Sequence, residues 1–439
     1  MKDKTKIRSV TARQVFSGRG HPGVEATIVT ENGAVGIVHA TAGVSVGTHE
    51  IAFQYDGGTK WRGMGVTQAV RNVNEIIGPA LIGLDSANQM EIDHVMLNLR
   101  GPDTKVILGG NATAAVSAAV LKAGANALDI PLYQHIGGNR AVTLPNASFG
   151  CIGGSTRYGT GLKAGSKPSY SFVAYDFESY SEAVHALWEV FSDWKRLMAE
   201  KWALRPIETS EGWTSGGFVN IPPGYVESDE VLWQMLTETI NKRGYENRMG
   251  IQVDVASDSF YNHDEITYEG LFFKGKRDRD EQIALIIRMT KDYPFVIIED
   301  PLFEDDFEGH ATLVKETDIQ IVGDDLFTTN PQRVEHGVAL SSANTVLLKV
   351  NQIGSITESL EMIQLAYENG YAVMPCSSRG ENIDICDYSV GINAGTIRET
   401  GLGSPAVRFM QIERELGRRA RYAGKAGLKG SRFEVKGGE

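Results

Sequence analysis

The chain has 439 residues, a length that suits a barrel-sized domain together with a second, smaller one. Its 42% hydrophobic and 22% charged residues are typical of an ordinary globular protein, and its net charge of −12 disfavours nucleic acid and anionic membrane surfaces as partners. The 3 cysteines cannot form an even set of disulfides and lack zinc-site spacing, so we expect a reducing compartment, the cytoplasm. The charged start, MKDKTKIRSV, predicts no secretory signal.

The first part of the chain, residues 1–138, predicts a small α+β domain. Residues 7–55 alternate between polar and apolar as strands do, and Asn32-Gly33 is a hairpin signal. Helical patterns follow, and the Ala-rich stretch 112–128 suits close packing of helices. Polar residues interrupt this apolar stretch, which indicates a packed helix and not a membrane span.

The second part, residues 141–439, repeats an apolar strand followed by a helical pattern. Near-continuous apolar strands that alternate with helices are typical of a parallel sheet covered by helices. Several such units favour a closed β/α barrel, although an open doubly wound sheet would show the same local pattern. The clearest predicted strands are residues 251–256, 295–300, 319–325, 345–350 and 371–375.

Four charged residues lie in or just after these strands: Asp254, Glu299, Asp324 and Lys349. In a β/α barrel the carboxyl ends of the strands carry the active site, so we expect the four side chains to meet there. Three carboxylates suit Mg²⁺, and a lysine beside a divalent cation shifts toward its neutral form and can act as a base. A single charge at a strand end is usually a helix cap or part of a surface ion pair. Four charged residues at corresponding strand ends favour a site that removes a proton next to a carboxylate.

Two other stretches carry candidate groups. AVMPCSSRGEN places Ser377, Ser378 and Arg379 after the strand that follows Lys349, where a cation would meet a substrate anion. His49, in SVGTHE, lies in a Gly-flanked loop beside Ser45, and a structural role for this histidine is as well supported as a catalytic one.

Several longer strings are distinctive: ARQVFSGRGHPGVEATI, GVSVGTHE, LGGNATAAVSAAVLKAGA, IEDPL, VGDDLFTTNP and LLKVNQIGSITESL. In this order and at this spacing they resemble enolase over nearly the whole chain. The resemblance implies an enolase-like modified (β/α)8 TIM barrel with an N-terminal α+β capping domain. It also implies Mg²⁺, a small anionic carboxylate substrate, and a homodimer or an assembly of dimers.

The resemblance also implies roles for individual residues. Asp254, Glu299 and Asp324 match the metal ligands of enolase, and Lys349 matches the general base that takes the proton alpha to the carboxylate. Ser45 matches the loop serine that binds a second metal.

The departures from the enolase pattern concern the groups around the substrate. Ser377, Ser378 and Arg379 occupy the place of a histidine, an arginine and a serine, so the catalytic histidine is missing. Arg398 replaces a second active-site lysine, and its planar fork would hold a carboxylate differently.

The acid that helps hydroxide to leave is also in doubt. The corresponding glutamate aligns either with Glu211 or with Ser215, and the Gly-Gly-Phe that follows favours Ser215. Loss of general acid catalysis typically reduces a rate by about 10²- to 10⁴-fold.

These departures predict a Mg²⁺-dependent lyase or dehydratase that acts on a small acid other than 2-phosphoglycerate. A phosphate- or phosphonate-bearing acid is one candidate substrate. The alternative is a non-catalytic enolase-like protein for binding or scaffolding, and glycolytic enolase itself is the least favoured hypothesis.

Overall fold

The computed structural model describes residues 3–17, 20–43, 46–153, 157–158, 167–203, 219–376, 379–380, 383–398 and 400–434. These residues form an N-terminal α+β region followed by a β/α barrel, so the predicted fold class is confirmed.

The chain begins with an antiparallel sheet of three strands, β1 (Ile7–Phe16), β2 (Pro22–Thr30) and β3 (Val35–Thr41). The turn between β2 and β3 contains Asn32 and Gly33, as predicted, and Gly33 has a φ of +84° that favours glycine. The elements that follow are α1 (Thr67–Asn72), α2 (Gly78–Leu81), α3 (Gln89–Leu97), β4 (Leu99–Pro102), α4 (Thr104–Leu108), α5 (Gly110–Leu128) and α6 (Leu132–Gly137).

Helix α5 packs closely on this sheet. A Cβ added to Gly36 of β3 would lie 2.1 Å from the carbonyl oxygen of Ala119, so this close approach requires glycine on the strand. Nearly the whole of α5 is buried. In the part of the chain that the structure describes, no single helix is long and apolar enough to cross a membrane, and only the bent pair Gly101–Leu108 and Gly110–Leu128 passes that test together.

The barrel region contains more strands, most of them short. They are β5 (Thr143–Leu144), β6 (Ser148–Gly153), β7 (Ser169–Ala174), β8 (Val219–Asn220), β9 (Met249–Asp254), β10 (Tyr261–Asn262), β11 (Thr267–Glu269), β12 (Lys276–Arg277), β13 (Phe295–Glu299), β14 (Gln320–Gly323), β15 (Thr345–Leu348), β16 (Ala372–Pro375) and β17 (Arg421–Tyr422).

The helices of this region alternate with the later strands and cover them. They are α7 (Tyr180–Trp202), α8 (Glu230–Asn241), α9 (Arg279–Asp292), α10 (Phe307–Glu316), α11 (Pro331–Leu340), α12 (Val350–Ile353), α13 (Ile356–Glu368), α14 (Asp384–Gly391) and α15 (Gly403–Leu416).

The main sheet has the strand order β16-β15-β14-β13-β9-β7-β6-β8. Neighbouring strands from β9 to β16 are parallel, whereas β7 is antiparallel to both β6 and β9. The beginning of β7 therefore lies at the same end of the barrel as the carboxyl ends of β9 and β13.

A short part of the chain, residues 396–398 and 400–401, closes the sheet on itself. Arg398 forms a parallel bridge with Cys376 after β16, and Thr396 forms one with Asn146 before β6. The amide of Gly401 also donates to the carbonyl oxygen of Ser148, at 2.7 Å. These links join β16 to β6 and make the sheet a closed barrel, not an open doubly wound sheet.

Candidate active site

The four charged residues predicted at strand ends lie together at one end of the barrel. Asp254 and Glu299 end β9 and β13 and are partners in the strand register, while Asp324 and Lys349 directly follow β14 and β15. Their exposed fractions range from 0% for Glu299 to 4% for Asp324. Buried strands thus carry four ionisable groups into a region shielded from water.

Lys349 forms a buried ion pair with Asp324, whose other oxygen accepts a hydrogen bond from Gln352 Nε2 at 2.8 Å. Burial alone would raise the pKa of Asp324, but the charges of Lys349 and Arg379 lower it to about 2. Burial is the largest single influence on Lys349 and opposes its charged form, yet Asp324, Cys376 and Glu299 together raise the pKa of the lysine. A cation that takes up the charge of Asp324 would remove this effect and favour a neutral lysine.

The carboxylates at this end of the barrel, the mouth, fit a divalent metal ion. Oxygens of Glu299, Asp300 and Asp324 lie within 4.8 Å of one another. Glu299 Oε2 is buried, and no hydrogen-bond partner for it occurs among the described residues. Asp254 Oδ2 makes ion pairs with Arg398 and Lys167. Hard carboxylate oxygens, one of them unpartnered, are the donor set that Mg²⁺ prefers.

Asp300 organises the loop after β14, a role that the sequence analysis missed although the residue follows Glu299 directly. Its two carboxyl oxygens accept the backbone amides of Asp324 and Asp325, at 2.9 and 2.8 Å. Burial, together with the neighbouring acids, raises the pKa of both Asp300 and Asp325 well above the usual range. Asp300 therefore orients the backbone of Asp324, a metal-ligand candidate.

Arg398 lies among the predicted metal ligands. Its Nη1 donates to Glu299 Oε1 at 3.1 Å and its Nη2 donates to Ser169 Oγ at 3.3 Å, and it also forms an ion pair with Asp254. Lys167, just before β7, contacts the same Asp254 oxygen, and the sequence analysis missed it. The carboxylates at this mouth are thus held by two cations as well as by Lys349.

Arg379 is fully buried beside these groups, but its guanidinium is occupied by Glu50 of the N-terminal region. Gln352 Nε2 lies 3.3 Å from Glu50 Oε1, so one glutamine side chain contacts both Glu50 and Asp324. The ion pair of Glu50 and Arg379 connects the loop before residue 51 to the end of β16. Glu50 was not among the residues predicted from the sequence.

The predicted site residues Ser45, Ser377 and Ser378, and the alternatives Glu211 and Ser215, lie outside the described residues.

His49, in the same loop, contacts an aspartate at the surface. Its Nε2 lies 2.9 Å from Asp305 Oδ1, and the two side chains are 34% and 46% exposed. The neighbouring Thr48 amide donates to Glu304 Oε2 at 3.0 Å. Of the two roles considered for His49, this position supports the structural one.

The buried carboxyl group of Asp258, behind this loop, should make the stability of the protein depend on pH. Burial raises its pKa to about 7, partly offset by the hydrogen bond from the Glu304 amide. Because an unfolded aspartate titrates near about 4, ionised Asp258 lowers stability progressively as the pH rises from about 4 to about 7. Asp258→Asn should change the unfolding free energy little at about pH 4 and increase it by at most about 4 kcal/mol above about pH 7.

Chemical denaturation of both proteins across this pH range measures the difference. Asp264→Asn, at an exposed aspartate in the turn between β10 and β11, is the matched control and should show no such trend. A constant difference between Asp258→Asn and the unchanged protein at all pH values would contradict the expectation.

Comparison with known proteins agrees with this architecture. Residues 7–136 match the family model described as Enolase, N-terminal domain, and residues 143–431 match Enolase, C-terminal TIM barrel domain. Proteins named Enolase from Methanococcus maripaludis and Methanocaldococcus jannaschii are each 38% identical to the chain, over 97% of it and 99% of their own length. The Enolase of Pyrococcus furiosus is 38% identical over 97% of this chain and 98% of its own.

These findings correct one expectation. The prediction of a lyase for an acid other than 2-phosphoglycerate was wrong, because relatives of nearly full length carry the name Enolase. The resemblance that was drawn from the sequence strings is confirmed, and so is the assignment to a family of metal-dependent lyases. Both family models and the full-length relatives agree, and the chain therefore belongs to the enolase family.

Proposed function

We propose that this protein is an enolase, a Mg²⁺-dependent lyase that removes water from 2-phosphoglycerate to give phosphoenolpyruvate. The observation that carries the proposal is the pairing of Lys349 with Asp324 in a buried group of carboxylates at the barrel mouth. The names of the full-length relatives support the choice of substrate.

Lys349 is the proposed base. Its ammonium is buried, so it can reach a substrate only at this mouth, and Thr329 Oγ1 accepts its backbone amide at 3.0 Å to fix where the side chain begins. Neutral Lys349 would take the proton alpha to the substrate carboxylate. Hydroxide would then leave from the next carbon as the double bond forms.

Asp254, Glu299 and Asp324 are the proposed ligands of Mg²⁺. When bound, the ion would supply positive charge next to the carboxylate that becomes more negative as the proton leaves. Glu299 Oε2, which has no hydrogen-bond partner among the described residues, would be available to the ion. Binding of the ion by Asp324 would weaken the ion pair between Asp324 and Lys349.

The remaining proposed site residues hold the substrate anion. Arg398, already bonded to Glu299, would orient the carboxylate. Ser377, Ser378 and Arg379 are the other proposed substrate-binding residues, and Glu50 holds the guanidinium of Arg379. Ser45, for which the resemblance implies a second metal, is proposed to bind substrate as well. The phosphate would thereby meet small hydroxyl groups and one guanidinium.

Metal removal tests this proposal. Protein treated with a chelator should lose formation of phosphoenolpyruvate from 2-phosphoglycerate, and added Mg²⁺ should restore it, because without the ion its carboxylate ligands would repel the growing negative charge. The enol product is followed by ultraviolet absorbance. Activity that is equal with and without chelator, or no turnover of 2-phosphoglycerate by the Mg²⁺-loaded protein, would refute the proposal.

Two further properties are proposed with the function. We infer a homodimer or an assembly of dimers, as the family resemblance implies, and light scattering coupled to size exclusion would measure it. We also infer a cytoplasmic location, supported by three cysteines that are buried and form no disulfide in the described chain.

A further inference from the structure

We propose that Lys167 and Arg398 together form a two-cation site for the carboxylate group of the substrate, so that Lys167 is a further residue that determines substrate binding. This inference rests on the proposed function, because it concerns the same mouth and the same acid. No sequence pattern used above pointed to Lys167.

The position of Lys167 follows from the direction of β7. Because β7 is antiparallel to β9, its first residue, Ser169, is the register partner of Asp254, the last residue of β9. A residue just before β7 therefore lies at the carboxyl ends of the parallel strands. Lys167 enters the mouth from the same side as the predicted metal ligands.

Lys167 is built into the site. Its side chain is 8% exposed and that of Arg398 is 6% exposed, and both make ion pairs with a single atom, Asp254 Oδ2. Placing a long ammonium side chain in a buried position is costly unless it meets an anion. Two cations that converge on one carboxylate oxygen form a receptor for a carboxylate.

The charge balance of the mouth indicates what changes when metal and substrate bind. Ion pairs here join four carboxylates to four cations, namely Asp254, Glu299, Asp324 and Glu50 with Lys167, Arg398, Lys349 and Arg379. A divalent ion would add two positive charges to this balanced set. An acid that carries a carboxylate and a phosphate would bring negative charge that offsets the charge of the ion.

In this structure the carboxylate of Asp254 pairs with the two cations that we propose bind the carboxylate of the substrate. Once the Asp254 carboxylate turns to a metal ion, Lys167 and Arg398 lose their shared partner and a second carboxylate can replace it. Lys167 thus competes with metal for Asp254 when no acid is present, and it binds the acid when metal is present. These opposite effects on two equilibria distinguish a binding residue from a purely structural counter-ion.

The test uses the full chain and two simple probes, D-glycerate as a carboxylate without phosphate and inorganic phosphate. In the Mg²⁺-loaded protein, Lys167→Met should weaken glycerate binding by about tenfold to about a hundredfold, the effect of a charge-assisted hydrogen bond, and leave phosphate binding unchanged. Without an acid present, the same variant should bind Mn²⁺ more tightly than the unchanged protein. Lys167→Arg should keep most of the glycerate affinity.

Lys122→Met is the matched control, because Lys122 is another partly buried lysine paired with an aspartate, Asp384, outside the mouth. It should alter neither equilibrium. Lys167→Gln replaces the methionine variant if that variant does not fold.

Three results would overturn the two-cation site: no glycerate binding by the unchanged protein, equal glycerate affinity with and without Lys167, or equal weakening of glycerate and phosphate. A protein that binds glycerate through Lys167 but does not convert 2-phosphoglycerate would refute the proposed function alone. Conversion of 2-phosphoglycerate together with an unaltered glycerate affinity in Lys167→Met would refute the two-cation site alone.

Discussion

Lys349→Ala is expected to abolish exchange of the alpha proton of 2-phosphoglycerate with deuterated solvent and to reduce turnover by at least about 10²- to 10⁴-fold. The reason is that no other described side chain at the mouth combines an amine with direct contact to Asp324. Nuclear magnetic resonance of the recovered substrate measures the exchange, and titration with Mn²⁺ checks that the metal ligands still bind.

Lys349→Arg separates the base from the counter-ion. Arginine can still pair with Asp324, but it stays protonated at any accessible pH, so it should preserve folding and remain inactive. Substantial proton exchange in either variant would show that another group takes the proton.

Glu50→Ala should have the largest effect on stability. Glu50 and Arg379 form an ion pair whose side chains are 2% and 1% exposed, so removal of the carboxylate leaves an arginine charge buried without this partner. Breaking a buried pair from one side typically costs about 3–5 kcal/mol of unfolding free energy. Urea denaturation of the variant measures the loss.

Two controls interpret that result. The double variant Glu50→Ala with Arg379→Ala removes both charges and should be less destabilised than Glu50→Ala alone. Glu265→Ala breaks the surface pair with Lys276, in which both side chains are about half exposed, and should cost less than about 1 kcal/mol. Equal losses for the buried and the surface pair would contradict a dominant role of burial.

Much of the barrel could be predicted because its parallel strands are buried on both faces. Strands β9, β13, β14 and β15 appear in the sequence as near-continuous apolar runs, and the structure buries every residue of them. Since strand direction is fixed in a parallel sheet, the charged residue at each carboxyl end could be assigned to the mouth. Asp254, Glu299, Asp324 and Lys349 could thus be assigned to one end of the barrel from the sequence.

Lys167 could not be found in the same way, because it precedes a strand, β7, that was not among the predicted strands and that runs in the opposite direction to β9. The apolar run of β7 does not reveal that this strand is antiparallel, so the sequence does not place the residues before it at the mouth of the barrel. A basic residue directly before an apolar strand becomes informative only once the direction of that strand is known.

Glu50 could not be found either, since its partner Arg379 lies more than 300 residues away in the sequence. The choice of substrate failed for a different reason. It weighed the loss of single residues such as the histidine replaced by Ser377, whereas sequence similarity over the full length carries evidence from the whole chain.

Arg398 has one further consequence, because its backbone closes the barrel through Cys376 while its side chain bonds to Glu299. The proposed binding of the substrate and the completion of the ring of strands thus involve one residue. A ligand that binds the guanidinium therefore also affects the bridge between Arg398 and Cys376 that closes the sheet. Affinity for the acid and cohesion of the barrel are therefore thermodynamically linked, and each should strengthen the other.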